Sequence, residues 1–234
     1  MTAEERFLFD LQGFFVVEDA LPKGRLEAVL DSVVRLTGEA PTEVTTMPMP
    51  IERDEELLGL AAYEPVLGRI RELVGPHPKL IDNDVMATPR TSFALGWHRG
   101  VEPWGFTAES TGFFCLMAKV IYYLTDVGPG DGPTRVVPGS HKQRVPFPIP
   151  DDPVADLPGA VELHVRAGSA LVFSEALLHA GSPNRSGKTR RLAIYNYGPS
   201  FVSHWEGYQP SAALVERASG PLRQLLGGGI TYRS

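Results

Sequence analysis

The sequence predicts a mainly β domain with flanking helices, whose core is a double-sheet jelly roll, also called a double-stranded β-helix. From Lys79 onward, short runs of β-branched and aromatic residues alternate with Gly and Pro, a pattern typical of sandwiches and barrels rather than of βαβ units. Upstream of Lys79, apolar residues recur at three- and four-residue spacing, which indicates amphipathic helices. A jelly roll can hold a small cofactor between its sheets, because alternate side chains of each strand project inward.

The first third of the chain predicts one strand and two helices. Residues 13–17 are aromatic and β-branched and predict a strand. Pro22 precedes a helical pattern of apolar residues. Residues 41–53 lack periodicity and predict a loop, and residues 55–74 predict a second helix that is interrupted near Pro65.

The remaining two thirds predict seven strands and a final helix. Amphipathic spacing over residues 211–226 predicts this helix, and residues 146–158, rich in Pro and Asp, predict the longest loop of the β region. No repeat and no convincing boundary divides the sequence, so a single domain over residues 1–234 is expected. The predicted strands are residues 79–88, 93–98, 115–124, 135–137, 161–165, 169–173 and 192–197.

Composition narrows the class of protein. The 22 basic and 28 acidic residues give a net charge of -6, which argues against a nucleic-acid polymer as partner and leaves a small-molecule substrate as the expectation. Cys115 is the single cysteine, so no intrachain disulfide can form and a reducing compartment is favoured. The sequence has no signal peptide pattern and no apolar run of about 20 residues, as a membrane helix requires. We therefore expect a cytoplasmic protein that does not interact with membranes.

Two of the six histidines have the setting of metal ligands. His98 ends an apolar run, and His179 follows Leu177-Leu178 and precedes a turn, so both lie at strand ends beside turns. A histidine, an acid two positions on, a distant histidine and a trailing arginine describe a mononuclear iron centre with two imidazoles and one carboxylate on one face. Here Gly100 takes the place of the acid, and Arg190 is the trailing arginine.

Several segments together point to one known family. These are residues 13–18, 123–127 followed by Asp131-Gly132, 137–142 with the stretch Pro-Gly-Ser-His, 168–173, and 179–190. The chain resembles the phytanoyl-CoA dioxygenase family of Fe(II)/2-oxoglutarate oxygenases. The resemblance implies Fe(II), 2-oxoglutarate and O2 as cofactors, with His98 and His179 as metal ligands. It also implies that Arg190, or its rival Arg191, binds the C5 carboxylate of 2-oxoglutarate, for which a guanidinium is suited.

Five further residues are candidates for the site. Ser182 and Asn184, in the turn after His179, are predicted to orient the cosubstrate, with simple turn chemistry as the alternative. Lys119 lies in a predicted central strand, where a buried ammonium needs a partner; the cosubstrate carboxylate or an anionic substrate would supply it. Arg99 and Trp104 are candidates for substrate binding, although a solvated charge and a core aromatic are the simpler interpretations.

The glycine at position 100 allows three explanations. The site has been lost, a nearby acid replaces the missing one, or an exogenous anion does. Glu102, Glu109 and Glu175 are the candidate replacements. Halogenases that resemble these oxygenases carry Ala or Gly at the acid position and bind chloride there, and they transfer chlorine rather than hydroxyl to the substrate.

The resemblance and the glycine together lead to one expectation and two alternatives. The expectation is a halogenase that uses chloride, acting on an aliphatic C–H bond of a free-standing small molecule, such as a natural-product intermediate or a nucleotide. The first alternative is a hydroxylase with a substitute carboxylate ligand or none. The second is a non-catalytic relative that acts as a binding protein.

Overall fold

The computed structural model describes residues 1–109 and 112–228, and within them it contains six α-helices, three single-turn 3-10 helices and twelve strands. The helices are α1 (Ala3–Gln12), α2 (Lys23–Thr37), α3 (Glu55–Ala61), α4 (Glu64–Val74), α5 (Ala212–Arg217) and α6 (Gly220–Leu225). The strands are β1 (Phe14–Val17), β2 (Thr45–Pro48), β3 (Pro78–Thr88), β4 (Leu95–His98), β5 (Phe106–Glu109), β6 (Gly112–Cys115), β7 (Ala118–Tyr123), β8 (Thr134–Val136), β9 (Val161–Leu163), β10 (Ala170–Ser174), β11 (His179–Gly181) and β12 (Arg190–Pro199).

Two antiparallel sheets form the jelly roll. The larger sheet has the order β1-β10-β7-β12-β3-β2, the smaller one has the order β4-β11-β8-β9, and β5 and β6 form a separate hairpin. All ladders between named strands are antiparallel. This confirms the predicted fold class. In the part of the chain that is described, none of the helices is long and apolar enough to cross a membrane.

Alternation along the central strand β7 separates the two faces of the larger sheet. Val120 and Tyr122 belong to the main core, which also contains the buried residues of the helices. Ile121 and Tyr123 belong to the second core between the two sheets. Helices therefore cover the outer face of the sheet, and the inner face is left for the residues of the site.

Most predicted elements are confirmed. Strands β5, β6 and β11 were not predicted, and three further differences have clear causes. Residues 41–53, predicted as a loop, contain β2, which pairs with the edge of β3; its four residues are too short to show a period. Helix α1 was not predicted, and a capping box between Thr2 and Glu5 starts it. The predicted last helix divides into α5 and α6 at Ala218, whose backbone is extended.

Candidate metal and cosubstrate site

The two predicted histidine ligands lie side by side at the edge of the smaller sheet. His98 and His179 are directly opposite in the β4–β11 ladder, and their ring centroids are 4.1 Å apart. The Nδ1 of His98 lies 2.8 Å from the Gly96 carbonyl oxygen, and that of His179 lies 2.9 Å from the Leu177 carbonyl oxygen. A carbonyl can only accept, so each Nδ1 donates its proton and each Nε2 keeps a lone pair. Backbone acceptors of this kind orient histidines that ligate metals.

The surroundings also keep both imidazoles neutral. Burial lowers the pKa of His98, and the nearby Lys119 ammonium lowers it further against the opposing effect of its hydrogen bond to Gly96. Burial and the same ammonium hold the pKa of His179 well below its usual value. The Nε2 of His179 is buried and has no hydrogen-bond partner. A neutral imidazole with a free Nε2 is the form that binds a metal ion.

A cavity of about 80 Å³ opens beside the two histidines. Its wall combines apolar side chains from both sheets with a few polar groups. The polar and charged lining residues are Thr88, His98, Lys119, Thr134, His179, Ser182 and Arg190. A small concave site with convergent polar groups is the usual form of a cofactor pocket.

Arg190 points into this cavity and Arg191 points away from it. Arg190 is buried and donates to the carbonyl oxygen of Gly132 and to the Thr88 hydroxyl at 3.3 Å, while its Nε is buried without a partner. Arg191 donates to the Thr37 hydroxyl at 2.7 Å and to carbonyl oxygens at the end of α2. Adjacent strand residues face opposite sides, so Arg190 is the guanidinium available to a carboxylate in the cavity.

The place of the missing acid is filled by Glu175. A Cβ atom at Gly100 would lie 1.9 Å from Glu175 Oε2 and 2.9 Å from its Cδ. The backbones of the two residues are also joined, since Gly100 N–H donates to the Glu175 carbonyl oxygen at 2.9 Å. The Glu175 carboxylate thus occupies the volume that the side chain of residue 100 would take. The other two candidate acids lie elsewhere: Glu102 lines a different surface cavity, and Glu109 is exposed on β5.

The charge of Glu175 is balanced by Lys119. The Nζ atom of Lys119 lies 2.7 Å from Glu175 Oε1, and both side chains are largely buried. The partner that burial of Lys119 requires is therefore a protein carboxylate, where the sequence suggested a cosubstrate or substrate anion. In the described residues, no three His, Cys, Asp or Glu side chains are arranged so that they could hold a metal ion. Ligation by Glu175 together with the two histidines therefore requires its side chain to turn.

Beyond Lys119, the inner face carries a polar row that sequence reasoning missed. Asn196 is the β12 neighbour of Lys119 and pairs in turn with Asp82 on β3. Its amide nitrogen donates to both Asp82 carboxylate oxygens, at 3.2 and 2.9 Å. Burial raises the pKa of Asp82 to about 6. The available signal was that Asp82 and Asp84 lie two positions apart in a predicted strand, which places them on one face.

The turn after His179 contributes fewer side chains to the cavity than predicted. Ser182 lines the cavity, but its hydroxyl donates to Glu162 at 3.1 Å. Asn184 does not line the cavity: its amide nitrogen donates to the carbonyl oxygens of Thr88 and Lys188, and its oxygen accepts from Ser186. For Asn184 the structure therefore favours the alternative of turn chemistry.

Arg99 and Trp104, the predicted substrate residues, do not line the histidine cavity. Arg99 donates to Gln143 Oε1 at 2.9 Å and lines a separate cavity of about 370 Å³. It is directed away from His98, as expected for adjacent residues of an extended segment. The Trp104 side chain is exposed, at 74 % of its accessible surface. A substrate that reaches them must extend out of the cavity beside the histidines.

Comparison of the sequence with known proteins finds one matching family and several related enzymes. The pattern of the phytanoyl-CoA dioxygenase (PhyH) family matches residues 9–192. Dioxygenase olcK of Penicillium canescens is 31% identical over 146 residues, which are 59% of this chain and 45% of olcK. Ectoine dioxygenase of Halomonas elongata is 23% identical, over 84% of this chain and 70% of that protein. The chain thus spans less than half the length of the first of these relatives.

The fold is shared with a solved structure. The iron-bound crystal structure of HygX from Streptomyces hygroscopicus superposes with a TM-score of 0.79 at 23% identity, covering 94% of this chain and 95% of HygX. At this level of identity the likeness concerns the fold.

Proposed function

The chain belongs to the phytanoyl-CoA dioxygenase family, and we propose that it is an Fe(II)/2-oxoglutarate-dependent oxygenase whose third metal ligand is Glu175. The observation that carries the proposal is the Glu175 carboxylate inside the volume that a side chain at Gly100 would fill. An acid from the segment between β10 and β11 replaces the acid two residues after His98. The donor set of two imidazoles and one carboxylate is then retained.

The residues of the cavity fit these cofactors. His98 and His179 offer neutral Nε2 atoms, and the buried, unpartnered Nε2 of His179 needs a ligand. Glu175 adds a carboxylate once its side chain turns. Arg190 offers a guanidinium for the C5 carboxylate, with Thr88 and Thr134 beside it. Iron and 2-oxoglutarate bound here would supply the oxidising power to attack an unactivated C–H bond with O2.

The protein residues would contribute positioning and exclusion of water. Ile121, Leu192 and Ile194 give the cavity an apolar wall, which favours an aliphatic substrate and keeps competing water out. The structure of HygX with nickel, 2-oxoglutarate and hygromycin B supports a small natural product as the substrate class. Hydroxylation or another oxidation of such a molecule is the reaction that the retained carboxylate favours.

The halogenase is the second candidate and is supported by Gly100 alone. Chloride at this position would compete with the Glu175 carboxylate for one volume, and two anions cannot share it. Chloride binding would therefore require Glu175 to withdraw, with Lys119 as its counter-ion.

Anaerobic titration with Fe(II) and 2-oxoglutarate tests these functions through the visible charge-transfer band of the chelated cosubstrate. We expect a band in the wild type that chloride does not shift. We expect a weak band in Glu175→Gln and a restored one in the exchange variant Gly100→Asp/Glu175→Ala. Glu102→Gln is the matched control and should behave as wild type. A chloride-dependent shift with an unaffected Glu175→Gln would establish the halogenase, and a wild type without any band would exclude both enzymes.

A further inference from the structure

Lys119 stands between the proposed third ligand and the cavity. It is on the inner face of β7, where its strand neighbours are Phe173 and Asn196. Its Nζ lies 2.7 Å from Glu175 Oε1 and 5.8 Å from the centroid of the Phe173 ring. Lys119 lines the cavity, whereas Glu175 is fully buried and does not. The ammonium therefore lies on the cavity side of the carboxylate.

In this position the Lys119 ammonium opposes the binding of a metal ion by the two histidines. A dication bound to His98 and His179 needs the negative charge of Glu175, which the ammonium already neutralises. The ammonium and the dication also repel each other across a low-dielectric pocket. The second oxygen of Glu175, Oε2, has no hydrogen-bond partner, so turning toward a metal breaks one contact, the one with Lys119.

An ammonium that loses Glu175 needs another anion, because burying an unpaired charge is costly. The two other acids on this face already accept hydrogen bonds, Asp82 from Asn196 and Asp84 from Tyr208, and burial raises the pKa of both, which disfavours their charged form. An anion that enters the cavity is not restricted in this way. The dianionic cosubstrate supplies the missing charge in the same cavity that Lys119 lines.

We infer that Lys119 couples metal binding to the binding of the anionic cosubstrate, by holding Glu175 until a carboxylate in the cavity replaces it. The inference rests on the proposed role of Glu175. It makes Lys119 a positioning residue, which acts on the metal through Glu175. Metal would be retained strongly when the cosubstrate is present and weakly when it is absent.

Calorimetric titration of Ni2+, with and without 2-oxoglutarate, tests this coupling without turnover. For Lys119→Met we expect Ni2+ binding without cosubstrate to tighten about tenfold, the scale on which residues next to metal ligands act. The further gain on adding 2-oxoglutarate should shrink by a similar factor. Lys188→Met, which removes an exposed lysine 3.8 Å from Asp131, is the control and should leave both affinities unchanged.

The outcomes separate the two proposals. If Glu175→Gln leaves Ni2+ affinity unchanged, the proposed ligand is wrong. If Glu175→Gln weakens Ni2+ binding but Lys119→Met does not tighten it, the ligand is right and the coupling is wrong. If Lys119→Met tightens binding equally in the Glu175→Gln background, the effect is general repulsion and the inference is overturned. Lys119→Gln, checked by thermal unfolding, replaces Lys119→Met if the latter does not fold.

Discussion

Gly100→Ala is the smallest change that tests whether the Glu175 carboxylate depends on a glycine at position 100. The backbone at Gly100 is not in the left-handed region, so alanine adds no conformational strain. Its Cβ, however, would lie 1.9 Å from Glu175 Oε2 and 3.3 Å from Glu175 Cβ. Ordinary carbon contacts are about 3.5–4.0 Å. The carboxylate must therefore leave a site where it is fully buried.

The expected loss of unfolding free energy has two sources, the overpacking of the site and the separation of Glu175 from Lys119. Overpacking a closed site costs about 1–3 kcal/mol, and removing one partner of a buried ion pair, an upper limit for separating the two, costs about 3–5 kcal/mol. Lys119 can move partly with Glu175, which keeps part of the ion pair. We therefore expect a loss of unfolding free energy of about 3 kcal/mol. For a domain of this size, that loss lowers the Tm by about 6–12 °C.

Thermal unfolding and Ni2+ titration of Gly100→Ala measure this effect. Gly96→Ala in β4, four residues earlier, is the matched control, because its Cβ would meet Pro153 at 3.5 Å, an ordinary contact. In a Glu175→Ala background, Gly100→Ala should lower the Tm by less than in the wild type, because the clashing carboxylate is gone. A Gly100→Ala protein with unchanged Tm and Ni2+ affinity would show that the Glu175 carboxylate does not depend on a glycine at position 100, and would refute the reasoning.

Three other side chains give sharp expectations. Arg190→Lys should weaken 2-oxoglutarate binding by about 10- to 100-fold, because hydrogen bonds to a charged group are lost. Calorimetry should show an unchanged Ni2+ affinity for this variant. The control Arg191→Lys should leave the affinity for 2-oxoglutarate unchanged. Asn184→Ala should lower the free energy of unfolding in urea by about 2–4 kcal/mol, because its buried hydrogen bonds join the turn to Thr88 at the end of β3, and a selective loss of cosubstrate affinity would contradict this. The raised pKa of Asp82, about 6 against 3.8, means that the folded protein binds more protons, so stability falls as pH rises from about 4 through 6. The free energy of unfolding of Asp82→Asn should therefore exceed that of the wild type by up to about 3 kcal/mol at pH 8 and should equal it near pH 4. An equal increase at both pH values would exclude ionisation as the cause.

The sequence predicts the fold and the histidine pair because both depend on local patterns. Alternation in β12 is also enough to predict that Arg190 and Arg191 face opposite sides. Which of several acids meets Gly100 depends instead on the turn between β10 and β11. There Glu175 N–H donates to the Met117 carbonyl at 3.0 Å and its own carbonyl accepts from Gly100. These contacts join residues far apart in sequence, so spacing alone cannot rank the candidates.

The polar row beside Lys119 illustrates the same limit. Asp82 and Asn196 are 114 residues apart and lie side by side only because β3 and β12 pair in one register. A shift of one residue would move Asp82 to the face that packs against the helices. Each residue could be assigned to a strand from the sequence, but the contact could not.

Gly100 and Glu175 are sterically linked, because a Cβ atom at position 100 would overlap the Glu175 carboxylate where it pairs with Lys119. A glycine two residues after the first histidine is therefore explained by a carboxylate at position 175 and does not by itself indicate a halide. This predicts two classes among family members with glycine or alanine at that position. Oxygenases should carry an acid four residues before the second histidine, as Glu175 lies before His179, and halogenases should lack it. Metal-binding assays on one member of each class check the rule: removal of that acid should weaken Ni2+ binding in the first class. A halogenase that retains the acid and binds chloride beside it would contradict the rule.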